Sequence, residues 1–235
     1  MKLRTGIHLL LAFICFNTSL HAQKTLFLGN SLTYTNDMPQ MVVYLAQHYG
    51  QSLETTSLCF PNYALEDHWN DGVFQKLLAE QDFDYVIVQQ GPSSQEAGKR
   101  MLLEYGAKIK KRCEPYDTQL GYFMVWPSKR YYFTFDQVIA NHRYVAHEHK
   151  AKLFPVGVHW KAYEASDHAA DLYGPDGFHP SSTGSFLAAL TIFHGLFPAE
   201  NLLELKFEDV KKWVPDAPSL HTMIQLINKK GDTKR

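Results

Sequence analysis

Cysteine is scarce in this chain, three in 235 residues. Cys15 lies in an N-terminal apolar stretch, and Ile14 before it is bulkier than the small residue a lipid-anchor signal needs. That leaves Cys59 and Cys113, too few for a disulfide-stapled scaffold. Whether the two are paired or are buried free thiols is left open by the sequence. No Cys/His spacing matches a zinc site. Excess charge is missing too. The formal net charge is −1, which gives no electrostatic footprint for nucleic acid or an anionic membrane surface. The chain has no internal repeat and no low-complexity tract. The N-terminal apolar stretch, IHLLLAFICF, is too short to read as a membrane span.

That stretch reads instead as part of a leader. Lys2 and Arg4 supply a positive start, and SLHAQ offers a cleavage point after Ala22. The expectation is a signal peptide over 1–22 and an exported protein, periplasmic or secreted. A buried first helix is the alternative.

Apolar residues make up 45% of the chain and aromatic residues 14%, enough for one α/β domain with a real core over 23–235. Strand-like runs recur at 25–29, 54–60, 84–89, 119–126 and 152–158. Helical patterns separate them. Met38, Met41, Val42, Leu45 and Tyr49 recur at helical spacing, with Asp37 as a possible cap, Pro39 in the first turn and Gly50 as a stop. Further helices are expected around 73–78, 102–109, 136–150 and 184–196. Such alternation means crossover connections and a parallel sheet with helices on both faces. Ligands bind such sheets beyond the carboxyl ends of the strands, so the loops after each strand are where chemistry is sought.

The first of those loops begins Gly29-Asn30-Ser31. A serine between a strand and a helix can be an exposed nucleophile or simply a turn residue. Far along the chain, GPDGFHPSSTG places Asp176 three residues before His179. A nucleophilic serine needs a general base, and the base needs an orienting partner. A carboxylate three residues before a histidine on a tight turn can reach the far ring nitrogen and leave the near one for the serine. The bland alternative is a turn aspartate and a surface histidine. His142, His147 and His149 read as a solvated helix face.

Together, FLGNSLT near the start and DGFHP near the end resemble the SGNH/GDSL hydrolase family, over roughly 25–195. The resemblance implies a three-layer α/β/α, flavodoxin-like fold with a five-stranded parallel sheet. It implies ester hydrolysis by a triad of Ser31, His179 and Asp176, with no metal and no organic cofactor. Three motifs depart from the family. Asn30 stands where the first motif has Asp. The loop CFPNYALEDHW lacks the glycine that lends an N–H to the oxyanion hole; Asn62 is the substitute expected, because Asn tolerates positive φ, with Tyr63 and Ala64 as alternatives. The third strand ends in QQG rather than Asn. That resembles the branch, including carbohydrate acetylesterases, with Gln at this position. Strand alternation turns Gln89 and Gln90 oppositely. Gln90 is the preferred oxyanion donor, by analogy with a Gln-Gly pair in sialate acetylesterase-like enzymes, and Gln89 stands second. The Ser31 N–H would complete the hole.

The loop WPSKRYYFTF brings Trp126, Tyr131, Tyr132 and Phe133, flat rings that suit a sugar face or the core. Trp126, Tyr131 and His68 are the substrate-contact candidates, with Trp69, His159 and Trp160 further off. The expected partner is a small-molecule or carbohydrate ester, foremost an O-acetylated sugar, with no nucleic acid and no stable membrane association. A lipid ester is the alternative substrate. A sugar-binding protein that has lost turnover is the alternative class.

Overall fold

Thr25 to Gly29 are buried without interruption, as a strand covered on both faces requires. The computed structural model describes residues 22–229. The expected leader lies outside them but for its last residue, Ala22. Among the described residues no helix is long and apolar enough to cross a membrane.

The chain order is β1 (Gln23–Gly29), α1 (Ser31–Tyr34), α2 (Met38–His48), β2 (Leu53–Cys59), α3 (Leu65–Asn70), α4 (Val73–Glu80), β3 (Tyr85–Val88) and α5 (Glu96–Cys113). Then come β4 (Gln119–Phe123), α6 (Phe135–Glu148), β5 (Lys152–Phe154), α7 (Val156–Glu164), α8 (Ser182–Leu196), α9 (Phe207–Val210) and α10 (Ala217–Asn228). The five strands form one parallel sheet in the order β2-β1-β3-β4-β5. After β2 the chain crosses back over β1 to place β3 on its other side. The crevice this opens lies at the carboxyl ends of β1 and β3.

Two apolar cores cover the two faces of the sheet. One holds Met41, Val42 and Leu45 of α2, Trp160 of α7 and much of α8. The other holds Leu65, Phe74 and Leu78 with Leu102 and Ile109 of α5. Helix α2 buries positions 38, 41, 42 and 45, the spacing of one helical face, and Gly50 follows it at φ 71°. Asp37 stands at its N-cap position but makes no capping hydrogen bond; its backbone is left-handed.

Some expectations need correction. The run 152–158 is a strand only to Phe154, and Val156, Trp160 and Tyr163 are buried as one face of α7. Helices α3 and α10 went unanticipated. Cys59 and Cys113 are free thiols. Cys59 packs against the first core and Cys113 belongs to the second, on the other face of the sheet. Burial pushes both up to about 12.

The histidines of α6 are not a solvated face. His142 is buried, and its Nδ1–H donates to the Val138 carbonyl at 2.8 Å. Tyr122 donates to His149 Nδ1 at 2.6 Å, while His147 is exposed. Residues 142 and 149 are seven apart, two turns on one face, and that face meets the core. Burial holds His142 down to about 4, and lowers His68, His149 and His194 as well. The unfolded chain therefore takes up protons first, near pH 6.5. Stability is expected to fall as pH drops from about 6.5 toward 4, by at most about 1.4 kcal/mol per pH unit for each fully buried histidine. Urea midpoints at pH 7 and pH 5 measure this, and His142→Leu is expected to flatten the slope.

Candidate active site

Ser31 begins the one-turn helix α1, directly past the end of β1. The turn before it is held from three sides. The Asn30 side chain accepts the Leu32 N–H at 3.1 Å, a helix cap. The Asn30 N–H and the Thr33 hydroxyl both donate to Gln89 Oε1, each at 2.9 Å. His68 Nε2–H donates to the Gly29 carbonyl at 2.8 Å. A side chain at position 29 would put its Cβ 2.7 Å from Gln89 Oε1 and from Thr33 Oγ1, so glycine is needed for this clamp. Asn30 does one thing an aspartate could not. Its Nδ2–H donates to the Tyr63 carbonyl at 2.9 Å, tying the loop after β2 to the serine turn.

The acid and base arrive on one hairpin-like loop. Tyr173 and Pro180 form an antiparallel bridge, and the Gly174 N–H donates to the His179 carbonyl at 2.7 Å. Gly177 has φ 67°, a turn conformation glycine adopts without strain. Asp176 Oδ1 accepts the N–H groups of Phe178 and His179, both at 2.9 Å. Its Oδ2 accepts the His179 Nδ1–H. His179 Nε2 then faces Ser31 Oγ at 2.8 Å. The hydrogen bond from His179, with the Phe178 N–H next, holds Asp176 down to about 2. The carboxylate is thus ionised at any working pH, which fixes the Nδ1–H tautomer and leaves Nε2 as the acceptor of the serine proton.

Three donors pin this loop from elsewhere. Trp126 Nε1–H donates to the Phe178 carbonyl at 3.0 Å. The Lys129 N–H donates to the Gly177 carbonyl at 2.8 Å. Asn36 Nδ2–H donates to the Pro180 carbonyl at 3.1 Å, with Asn36 itself left-handed at φ 57°. Trp126 is therefore no substrate contact. It is fully buried and stacked on Trp160, ring centroids 3.7 Å apart. Trp126→Phe keeps the apolar body and loses the N–H. It is expected to lower kcat about 10- to 100-fold, because misplacing a reacting group by a fraction of an ångström has that effect. KM should stay nearly constant, and assays well below Tm separate this from a loss of folding.

Other expected contacts also move. His68 is buried under the Gly29 turn, not on a rim. Trp160 is buried, and His159 bonds Thr191 away from Ser31. Trp69 packs against the second core. Gln89 is a buried acceptor inside the serine turn. Gln90 does line the cleft beside Ser31. Its Oε1 accepts the Leu65 N–H at 3.3 Å, and its Nε2 donates to Ser93 Oγ at 2.8 Å and to the Gly98 carbonyl at 3.2 Å. Its amide protons are thus engaged in holding α3, α5 and the loop after β3 together. Asn62 also lines the cleft, in the left-handed conformation at φ 62°.

The cleft has two compartments. One, about 390 Å³, is lined by Ser31, Asn62, Tyr63, Ala64, Gln90 and Met101 among others. The other, about 750 Å³, runs past Asp176 and Phe178 to Lys129, Arg130, Tyr131 and Phe133. Pro92, Ser93, Gly98 and Phe178 border both. Tyr131 stays a cleft residue, 52% exposed. Sequence reasoning missed Asn36, Phe178 and Arg130. No local pattern marks Asn36, whose partner Pro180 is 144 residues away.

No protein-family model matches this chain, and no curated protein matches it. Its fold, however, is shared with solved structures. A protein assigned to the SGNH hydrolases from Slackia heliotrinireducens is 23% identical, with a TM-score of 0.62 over 75% of this chain and 100% of that one. A DUF4886 family protein from Bacteroides uniformis is 20% identical, with a TM-score of 0.72 over 88% and 93%. A variant of an acetyl xylan esterase from Geobacillus stearothermophilus is 13% identical, with a TM-score of 0.57 over 75% and 93%. The architecture is the SGNH hydrolase α/β fold.

Proposed function

We propose that this protein is a serine esterase that removes small acyl groups, foremost O-acetyl groups from carbohydrate, and acts outside the cytoplasm. The observation that carries the reading is the unbroken chain from Asp176 through His179 to Ser31 at the switch point of the sheet. Ser31 Oγ attacks the acyl carbonyl as its proton passes to His179 Nε2. The tetrahedral oxyanion is met by the N–H groups of Ser31 and Asn62. Imidazolium His179, stabilised by Asp176, gives its proton to the leaving alcohol. Water then attacks the acyl-enzyme by the same route, releasing the acid and restoring Ser31.

The neighbouring acetyl xylan esterase fold and the aromatic rings beside the cleft support the carbohydrate reading. A fluorophosphonate tests the nucleophile. One equivalent is expected to add to Ser31, with matching loss of p-nitrophenyl acetate hydrolysis. Sugar binding without labelling would favour a binding protein instead. Acetyl esters are expected to be cleaved at least about tenfold faster than octanoyl esters; the reverse order would point to lipid.

A further inference from the structure

We infer that the alcohol part of the ester lies in the larger compartment and carries an anionic group, such as a sugar carboxylate, bound by Arg130. This rests on the esterase reading above and adds the orientation and charge of the substrate. The orientation follows from proton transfer. The general acid must reach the leaving oxygen, so the alcohol departs on the His179 side. Asp176 and Gly177, which precede His179 in its loop, line the 750 Å³ compartment and not the smaller one, while Phe178 stands between the two. The acyl group is left with the 390 Å³ compartment at Ser31 and Asn62. The larger part of the substrate is therefore the alcohol.

Its chemistry follows from the walls. Phe133 is 82% exposed and lies edge-on to Tyr131, ring centroids 6.3 Å apart. Neighbouring exposed rings on an open groove suit the C–H faces of sugars. The charges there do not cancel. Lys129 is paired with Asp171 at 3.1 Å, and Asp176 is engaged by His179. Arg130 is exposed, its guanidinium lies 5.6 Å from the Tyr131 ring centre, and no carboxylate pairs with it among the described residues. A planar fork of donors beside a ring is suited to a sugar that carries an oxyanion.

The test compares acetate release from mono-O-acetylated methyl glucuronoside and methyl glucoside, with p-nitrophenyl acetate alongside. A kcat/KM ratio of about 10 to 100 in favour of the acidic sugar is expected, the range for one charge-assisted contact. Arg130→Gln should bring that ratio close to one, and Arg130→Lys should leave it in between. p-Nitrophenyl acetate turnover without preference for the acidic sugar, or a ratio that survives Arg130→Gln, overturns this inference alone. No turnover of any of the three esters removes the esterase reading and this inference with it.

Discussion

Ser31→Ala is expected to lower kcat for acetyl ester hydrolysis by about 10⁶-fold, the size seen when a serine nucleophile is deleted elsewhere. Ser31 Oγ is the atom that faces His179 Nε2, and with it goes the covalent route. A remainder of about 10³-fold over water would survive from binding and the oxyanion N–H groups. Stability should barely change. The lost hydroxyl meets a histidine side chain that is 40% exposed, and water can replace it there. The measurement is acetate release at saturating substrate beside a thermal melt. A variant that folds and keeps more than about a hundredth of the native rate would show that another group carries the acyl transfer.

Asp176→Asn is expected to lower kcat by about 10⁴-fold, by a different route. The asparagine oxygen can still accept the N–H groups of Phe178 and His179, so the loop should keep its shape. Its amide nitrogen then faces His179 Nδ1 as a donor. Nδ1 must give up its proton, Nε2 must take one, and the ring presents Ser31 with an N–H where it needs a lone pair. Arg130, Tyr131 and Phe133 of the larger compartment are unchanged, so KM should move far less than kcat. The native carboxylate also has an acid limit. Its pKa is lowered from 3.8 to about 2, so its contribution to stability is complete above about pH 4 and is lost as pH falls toward 2. Activity lost between pH 7 and 5 therefore cannot come from protonating Asp176. A variant with native kcat would mean that this carboxylate does not set the histidine tautomer.

Local chemistry was legible in the sequence. The strand before Ser31, the glycine that lets its turn close, the Asp176 to His179 spacing and the parallel α/β class all follow from short-range rules. Each depends on a few neighbouring residues and on which faces must be apolar. Asn62 was singled out through the family resemblance, whose glycine marks that loop, together with asparagine's tolerance of positive φ; it does adopt φ 62°. Helix α7 was misread because Leu153 to Val158 is one short apolar run with no period to separate strand from helix, although Pro155 inside it marks where the strand ends.

Tertiary structure alone decided what the polar and aromatic residues around that turn do. Composition cannot tell a ring that faces a sugar from one that stacks in a core, so Trp126 became a buried support and Tyr131 a cleft residue on the same loop. Gln89 and Gln90 are adjacent and chemically identical, yet one bonds inside the serine turn and the other lines the cleft. His68 went beneath the Gly29 carbonyl for the same reason. These roles depend on partners 25 to 59 residues away, brought close only when the sheet and its two cores assemble. The sequence determined which groups are available and how each turn is built; packing determined which of them face the substrate and which hold the others still.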